Sequence, residues 1–158
     1  MKIKLLKALK RITGENSYEV KLCKTILAYL EMAYLFYQSA HWQTNGSEFY
    51  ADHLLFQRLY EGLRDEIDGL GEKIVGVYSL DFVNFTDRLK NICTLSDFVG
   101  MESLQKSYIS TALLIENKLL EQLASADLAD FSPGVKDLFA GFANTHEGHV
   151  YLLKQRQQ

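Results

Sequence analysis

The sequence predicts an all-α protein built as a four-helix bundle, with a short extra helix between the second and third long helices. Three observations carry this. The 158 residues contain a single proline, Pro133. Apolar residues recur at intervals of three and four over long stretches. Turn signals divide those stretches into four segments long enough to span a bundle.

The first helix is expected from Asn16 or Ser17 to about His41, since Asn16 and Glu19 have capping-box spacing. Val20, Cys23, Leu27, Leu30, Tyr34 and Tyr37 form its apolar face. Thr44-Asn45-Gly46 is a turn signal. Ser47 is a candidate cap for a second helix running to about Gly76. Phe56, Leu59, Leu63, Ile67, Leu70 and Ile74 form its stripe. Between Asp81 and Gly100, Phe82, Phe85, Leu89 and Ile92 suggest one short helix. The third long helix is expected from Glu102 to about Ala124, with Leu104, Tyr108, Thr111, Leu114 and Leu119 on its apolar face. Ser132-Pro133 reads as a cap followed by proline at the first helical position, opening a fourth helix to about Gln155. The reading is a single domain over 1–158, with residues 1–13 a basic segment and 16–157 the bundle. No period of 20–50 residues repeats, which argues against a solenoid.

Apolar residues make up 47% of the chain and charged residues 23%, ordinary values for a soluble globular protein. Cys23 and Cys93 have no metal or disulfide spacing, which fits two reduced thiols in a cytoplasmic protein. No stretch approaches the ~18 apolar residues of a membrane span. Lysines interrupt Met1–Ile12 every two or three residues, so no secretory signal is expected. Charge is uneven: residues 1–25 carry seven Lys/Arg and two Glu, giving +5, against −8 for the remainder.

The residues that carry chemistry are His41, His53, Asp68 and Glu72. Imidazole plus carboxylate is a ligand set for a transition metal such as iron, manganese or zinc. On the second helix, with His53 at zero, Gln57 falls at about 40°, Asp68 at about 60° and Glu72 at about 100°. The apolar stripe lies between about 240° and 320°, so these groups face away from the bundle's own core. His53 and Glu72 are about 28 Å apart along the helix, whereas ligand atoms lie within about 2.0–2.3 Å of one ion. One helix cannot assemble the site. Two copies crossing antiparallel about an axis near Gly62/Leu63 can, because 53 then meets 72 and 57 meets 68. That self-complementary pairing is what a two-fold dimer needs. Gly62 would permit close backbone approach there. His41, at the end of the first helix, is positioned to supply a second imidazole. The alternative is a polar face that simply meets water. Trp42, the sole tryptophan, is expected to anchor the core or an interface.

The segment His41-Trp42-Gln-Thr-Asn-Gly46-Ser-Glu-Phe49-Tyr-Ala-Asp-His53-Leu-Leu-Phe56-Gln57, followed by Leu59-Tyr60 and Asp68-Gly-Leu-Gly-Glu72, resembles the signature of the Dps mini-ferritins. That pattern is His-Trp, a Gly four residues on, an aromatic three further, His-x-x-Phe-Asp, Leu-Tyr and Asp-x-x-x-Glu. The resemblance implies a ferritin-like bundle assembled as a dodecameric homo-oligomer from two-fold dimers. It implies a ferroxidase, with iron bound at mono- or di-iron sites at the dimer interface, oxidised typically by hydrogen peroxide and stored in the shell. His41, His53 and the residue at position 57 would come from one subunit, and Asp68 and Glu72 from its neighbour. Gln57 departs from the pattern's Asp. A neutral amide is a weaker ligand for a hard cation than a carboxylate, and Glu61, one turn later, is the nearest replacement.

Residues 1–12 form a basic amphipathic helix if helical, with Leu5, Leu9 and Ile12 on one face. The apolar face favours docking onto the shell or a partner over DNA contacts or a membrane surface. His146 and His149, spaced i, i+3, read as a surface metal pair or as ordinary polar positions. Glu31 and Glu116 are acidic positions in long helices. No Glu-x-x-His occurs, which speaks against an iron centre inside one bundle. Asp127, Asp130 and Asp137 complement a helix dipole or, by the resemblance, line three-fold pores. Two other readings stay open: a shell-forming or DNA-binding relative whose iron site is weakened, and a metal-free all-α adaptor.

Overall fold

The computed structural model describes residues 17–78, 83–99 and 107–157, with side chains through 97 in the middle stretch. The basic segment, Glu102 and Leu104 lie outside the described residues. Among those described, every element is helical: α1 Tyr18–Gln43, α2 Phe49–Glu61, α3 Leu63–Val77, α4 Phe85–Val99, α5 Tyr108–Asp127 and α6 Pro133–Gln157. Helices α1, α2–α3, α5 and α6 are the bundle, and α4 is the extra helix, packed across α1.

Ser17 caps α1, its hydroxyl accepting from the Val20 N–H at 3.2 Å. Ser47 does not cap the second helix. Glu48 occupies that position without a side-chain cap, because Gly46, at φ +81°, turns the chain so that Phe49 N–H bonds Gly46 O at 3.2 Å. The expected single second helix is interrupted at Gly62, the residue least able to hold a helix there. Gly62 keeps helical angles (φ −71°, ψ −27°), so α3 carries on the path of α2. Asn84 opens α4, its side chain accepting from the Asp87 N–H at 3.0 Å. Ser132 O accepts from both Val135 and Lys136 N–H at 3.0 Å, with Pro133 at the first position of α6, where a missing N–H costs nothing.

The expected stripes of the first two bundle helices are buried, apart from the half-buried Tyr34 and Ile67. The third long helix differs. Ser107 caps it, accepting from Ser110 N–H at 3.3 Å, and its inward face is Ile109, Ala112, Glu116, Leu119, Leu123 and Ala126. Leu114, expected inside, is 37% exposed. The true stripe contains a carboxylate, which hydropathy assigns to solvent. On α6 the stripe is Val135, Phe139, Phe142, His146, His149 and Leu153. Each buried leucine contributes roughly 2 kcal/mol by leaving water, so the apolar members offset the polar ones.

Candidate metal centre

His41 closes α1 and His53 sits in the second turn of α2, brought together by the Gly46 turn. Their rings stack at 3.7 Å between centroids, 26° from parallel. His41 Nδ1 lies 2.8 Å from His53 O, and His53 Nδ1 lies 3.0 Å from His41 O. A carbonyl only accepts, so each Nδ1 carries hydrogen, and the tautomer this selects has its lone pair on Nε2. An outer N–H fixed on a carbonyl is how metal-binding histidines are oriented. Phe49 stacks against His53 at 5.1 Å and Tyr60 meets the His41 ring edge-on at 5.4 Å. The pair is thus clamped between aromatic rings.

Asp68 and Glu72 are exposed on α3, about 22–28 Å further along the helical path from His53. The chain by itself therefore unites the two histidines and leaves the two carboxylates apart. Gln57, one turn after His53, donates from Nε2 to Glu61 Oε1 at 2.7 Å, which brings a carboxylate beside the amide. A groove of about 550 Å³ runs past Tyr34, Leu35, Arg64, Asp68, Arg88 and Ile92. Apolar surface surrounds this side: Leu35 is 51% exposed, Leu89 47% and Phe85 72%. Trp42 is 68% exposed and is not a core residue. The turn at Gly46 leaves its indole outside the bundle. Arg88 holds the buried Glu31 carboxylate, its Nε donating to Oε1 at 2.7 Å.

No protein-family model matches the chain. Over 99 residues it is 27% identical to a nutrient stress-induced DNA-binding protein of Nostoc sp., a match covering 63% of this chain and 50% of that relative. The chain thus spans about half the length of that relative. The X-ray structure of Dps from Thermosynechococcus elongatus superposes with TM-score 0.71 at 21% identity, covering 89% of this chain and 90% of that one.

The chain has the Dps fold.

Dps of Vibrio cholerae, described as a member of a broad superfamily of ferritin-like diiron-carboxylate proteins, superposes with TM-score 0.57 at 18% identity. It covers 93% of this chain and 98% of that one.

Inside the Dps fold of this chain lies a second polar cluster. His146 and His149 are not surface residues. Both are buried, because they occupy core positions of the α6 stripe. His146 Nδ1 lies 2.5 Å from Glu116 Oε2 and its Nε2 lies 2.9 Å from Glu66 Oε2. His149 Nδ1 lies 3.0 Å from Glu116 Oε1, and the Tyr37 hydroxyl donates to the same oxygen at 2.6 Å. Burial pushes the Glu116 carboxyl up, but the hydrogen bonds from His146 and His149 outweigh it and hold it at about 2. Burial pushes the His146 imidazole down, and its bonds to Glu116 and Glu66 outweigh that and raise it to about 9. His146 is therefore an imidazolium at neutral pH. Burial, then the Glu116 charge, lifts the Tyr37 phenol well above its ordinary value. Sequence reading named the His146/His149 pair but placed it at the surface and apart from Glu116. The available signal was the spacing 135, 139, 142, 146, 149, 153, which puts both histidines on the apolar face of α6.

Proposed function

We propose that this chain is a cytoplasmic Dps-type subunit that binds and oxidises Fe(II) at sites shared across two-fold interfaces and stores the iron in a dodecameric shell. The observation that supports this most is the His41–His53 pair. Two imidazoles with their Nδ1 hydrogens fixed on main-chain carbonyls leave both Nε2 atoms for a metal. The carboxylates that complete a ferrous ligand set, Asp68 and Glu72, are exposed and cannot reach them within one subunit. An antiparallel partner supplies them, and the exposed Leu35, Leu89 and Trp42 give its surface something apolar to cover.

Iron is the substrate. Two Fe(II) ions each yield one electron to hydrogen peroxide, which takes up two protons and leaves as two waters. Carboxylates favour the ferric product more than the ferrous substrate because the charge they neutralise is larger. At position 57 the amide gives up that advantage, and its bond to Glu61 supports a second reading, a shell whose oxidation step is weakened. The name of the Nostoc relative records DNA binding. For this chain that activity would rest on Lys2, Lys4, Lys7, Lys10 and Arg11. A gel shift at low salt that survives deletion of residues 1–12 would remove that role from the segment.

The direct test is a crystal soaked in Fe(II) under anoxia, with light scattering of the same preparation. The expected result is a shell with iron between His41/His53 of one subunit and Asp68/Glu72 of the next. A monomer in solution, or iron absent from those residues, overturns the reading.

A further inference from the structure

We infer that the bundle core holds a second, intrasubunit site for a borderline divalent transition ion, with Glu116, His146 and His149 as its ligands. One donor atom from each of the three lies within 4.8 Å of the others. Neutral imidazole and carboxylate suit zinc, cobalt, manganese and ferrous iron. Ligands about 2.0–2.2 Å from a tetrahedral ion sit roughly 3.3–3.6 Å apart. The 2.5 Å bond of His146 Nδ1 to Glu116 Oε2 and the 3.0 Å bond of His149 Nδ1 to Oε1 open to that spacing through side-chain shifts of up to about 1 Å. The ion takes the place of the hydrogens that both Nδ1 atoms donate to Glu116. The His146 hydrogen passes to solvent, since its Nε2 already carries one toward Glu66, and that of His149 passes to solvent or to its own Nε2.

The neighbours of the three ligands are arranged for this. With Nδ1 on the ion, His146 keeps its Nε2 hydrogen on Glu66, the carboxylate–histidine–metal relay that fixes a ligand's tautomer and raises its basicity. Tyr37 donates to Glu116 Oε1 and so holds the carboxylate's orientation. The cluster is closed on the Glu116 side, where the side chain is fully buried, and meets solvent through Glu66 and His149, whose side chains are 12% and 11% exposed. An ion has an approach there, and three protein ligands leave a coordination position open. The two histidines come from α6, the ligand carboxylate from α5, the orienting carboxylate from α3 and the phenol from α1. The site thus ties the four walls of the bundle together without Asp68 or Glu72.

The test uses Co(II) as the probe on the full chain carrying His53→Ala and Glu72→Gln, which removes one imidazole and one carboxylate from the proposed interface site. The expected result is retention of one Co(II) per chain, with the visible d–d absorption of a low-coordinate ion. Adding His149→Gln removes that absorption, while Glu66→Gln weakens binding by about 10-fold or more as an outer-sphere change. Because buried substitutions can prevent folding, wild-type crystals soaked in Co(II) give a second readout. An anomalous peak among Glu116, His146 and His149 is expected, distinct from any peak at His41 and His53. Loss of all Co(II) binding in the His53→Ala, Glu72→Gln chain, or a peak only at the interface, overturns the inference.

Discussion

His41 and His53 face each other ring to ring, and each fixes the other's tautomer through a main-chain carbonyl. Each ring is held by its own bond to the other residue's carbonyl and by the stacking between them, so the pair is set in place before metal arrives. His53→Ala removes one lone pair and the ring stacked on His41, while the residue 53 carbonyl that holds His41 Nδ1 stays. Fe(II) affinity is expected to fall on the order of 100-fold, the upper end of the cost of disturbing even outer-sphere partners. His53 is only half-buried, so melting of the metal-free protein should change little. Unaltered ferrous affinity in anoxic titration would contradict the assignment.

Gln57→Asp restores a carboxylate one turn from His53. The expected effect is higher ferrous affinity and faster oxidation by peroxide. The mutant also loses the amide bond to Glu61, leaving two carboxylates side by side that a cation would bridge. Isothermal titration under anoxia showing no gain refutes the view that the amide weakens this site.

Much of this architecture was legible in the sequence. Val20, Cys23, Leu27 and Leu30 on α1, and Phe56, Leu59, Leu63 and Leu70 on α2–α3, recur at helical spacing, so periodicity located them although α1 also buries Glu31. The later helices were harder because Glu116, His146 and His149 stand in their inward stripes. A hydropathy pattern sends such residues to the surface, and it moved Leu114 inside in exchange. The proposed sharing of a site between two chains rests on distance: His53 and Glu72 are too far apart on one rod to share an ion. Trp42 stayed ambiguous between core and interface, since an apolar residue at a contact between chains has the same sequence signature as one in the core.

Arg88→Ala removes the cation from the buried Glu31 carboxylate, whose Oε2 already has no hydrogen-bond partner. Arg88 is 40% exposed along its side chain, so water screens part of the effect. A cost of about 1–3 kcal/mol is expected, a drop of several degrees in melting temperature. Adding Glu31→Gln should recover part of the loss. A double variant no more stable than Arg88→Ala would place the effect in packing of the arginine stem instead.

Cys23 should resist thiol reagents. Burial, reinforced by the Glu19 charge, pushes its thiol up to about 12, so the reactive thiolate is scarce at neutral pH. In a Cys93→Ser chain, Ellman's reagent should find no thiol until denaturant is added. Prompt reaction of the native chain would show that the α1 face opens on the timescale of the assay.

The central claim is that each iron site is shared between subunits, and co-assembly of two inactive variants tests it most directly. His53→Ala spoils the histidine half of a site and Glu72→Gln the carboxylate half. In a mixed two-fold dimer one site collects both defects and the other collects neither. Random co-assembly should therefore restore about a quarter of wild-type peroxide-dependent Fe(II) oxidation, since half of the dimers are mixed and each has one sound site. Mixed shells, verified by mass spectrometry, that oxidise Fe(II) no faster than either variant alone would contradict a shared site.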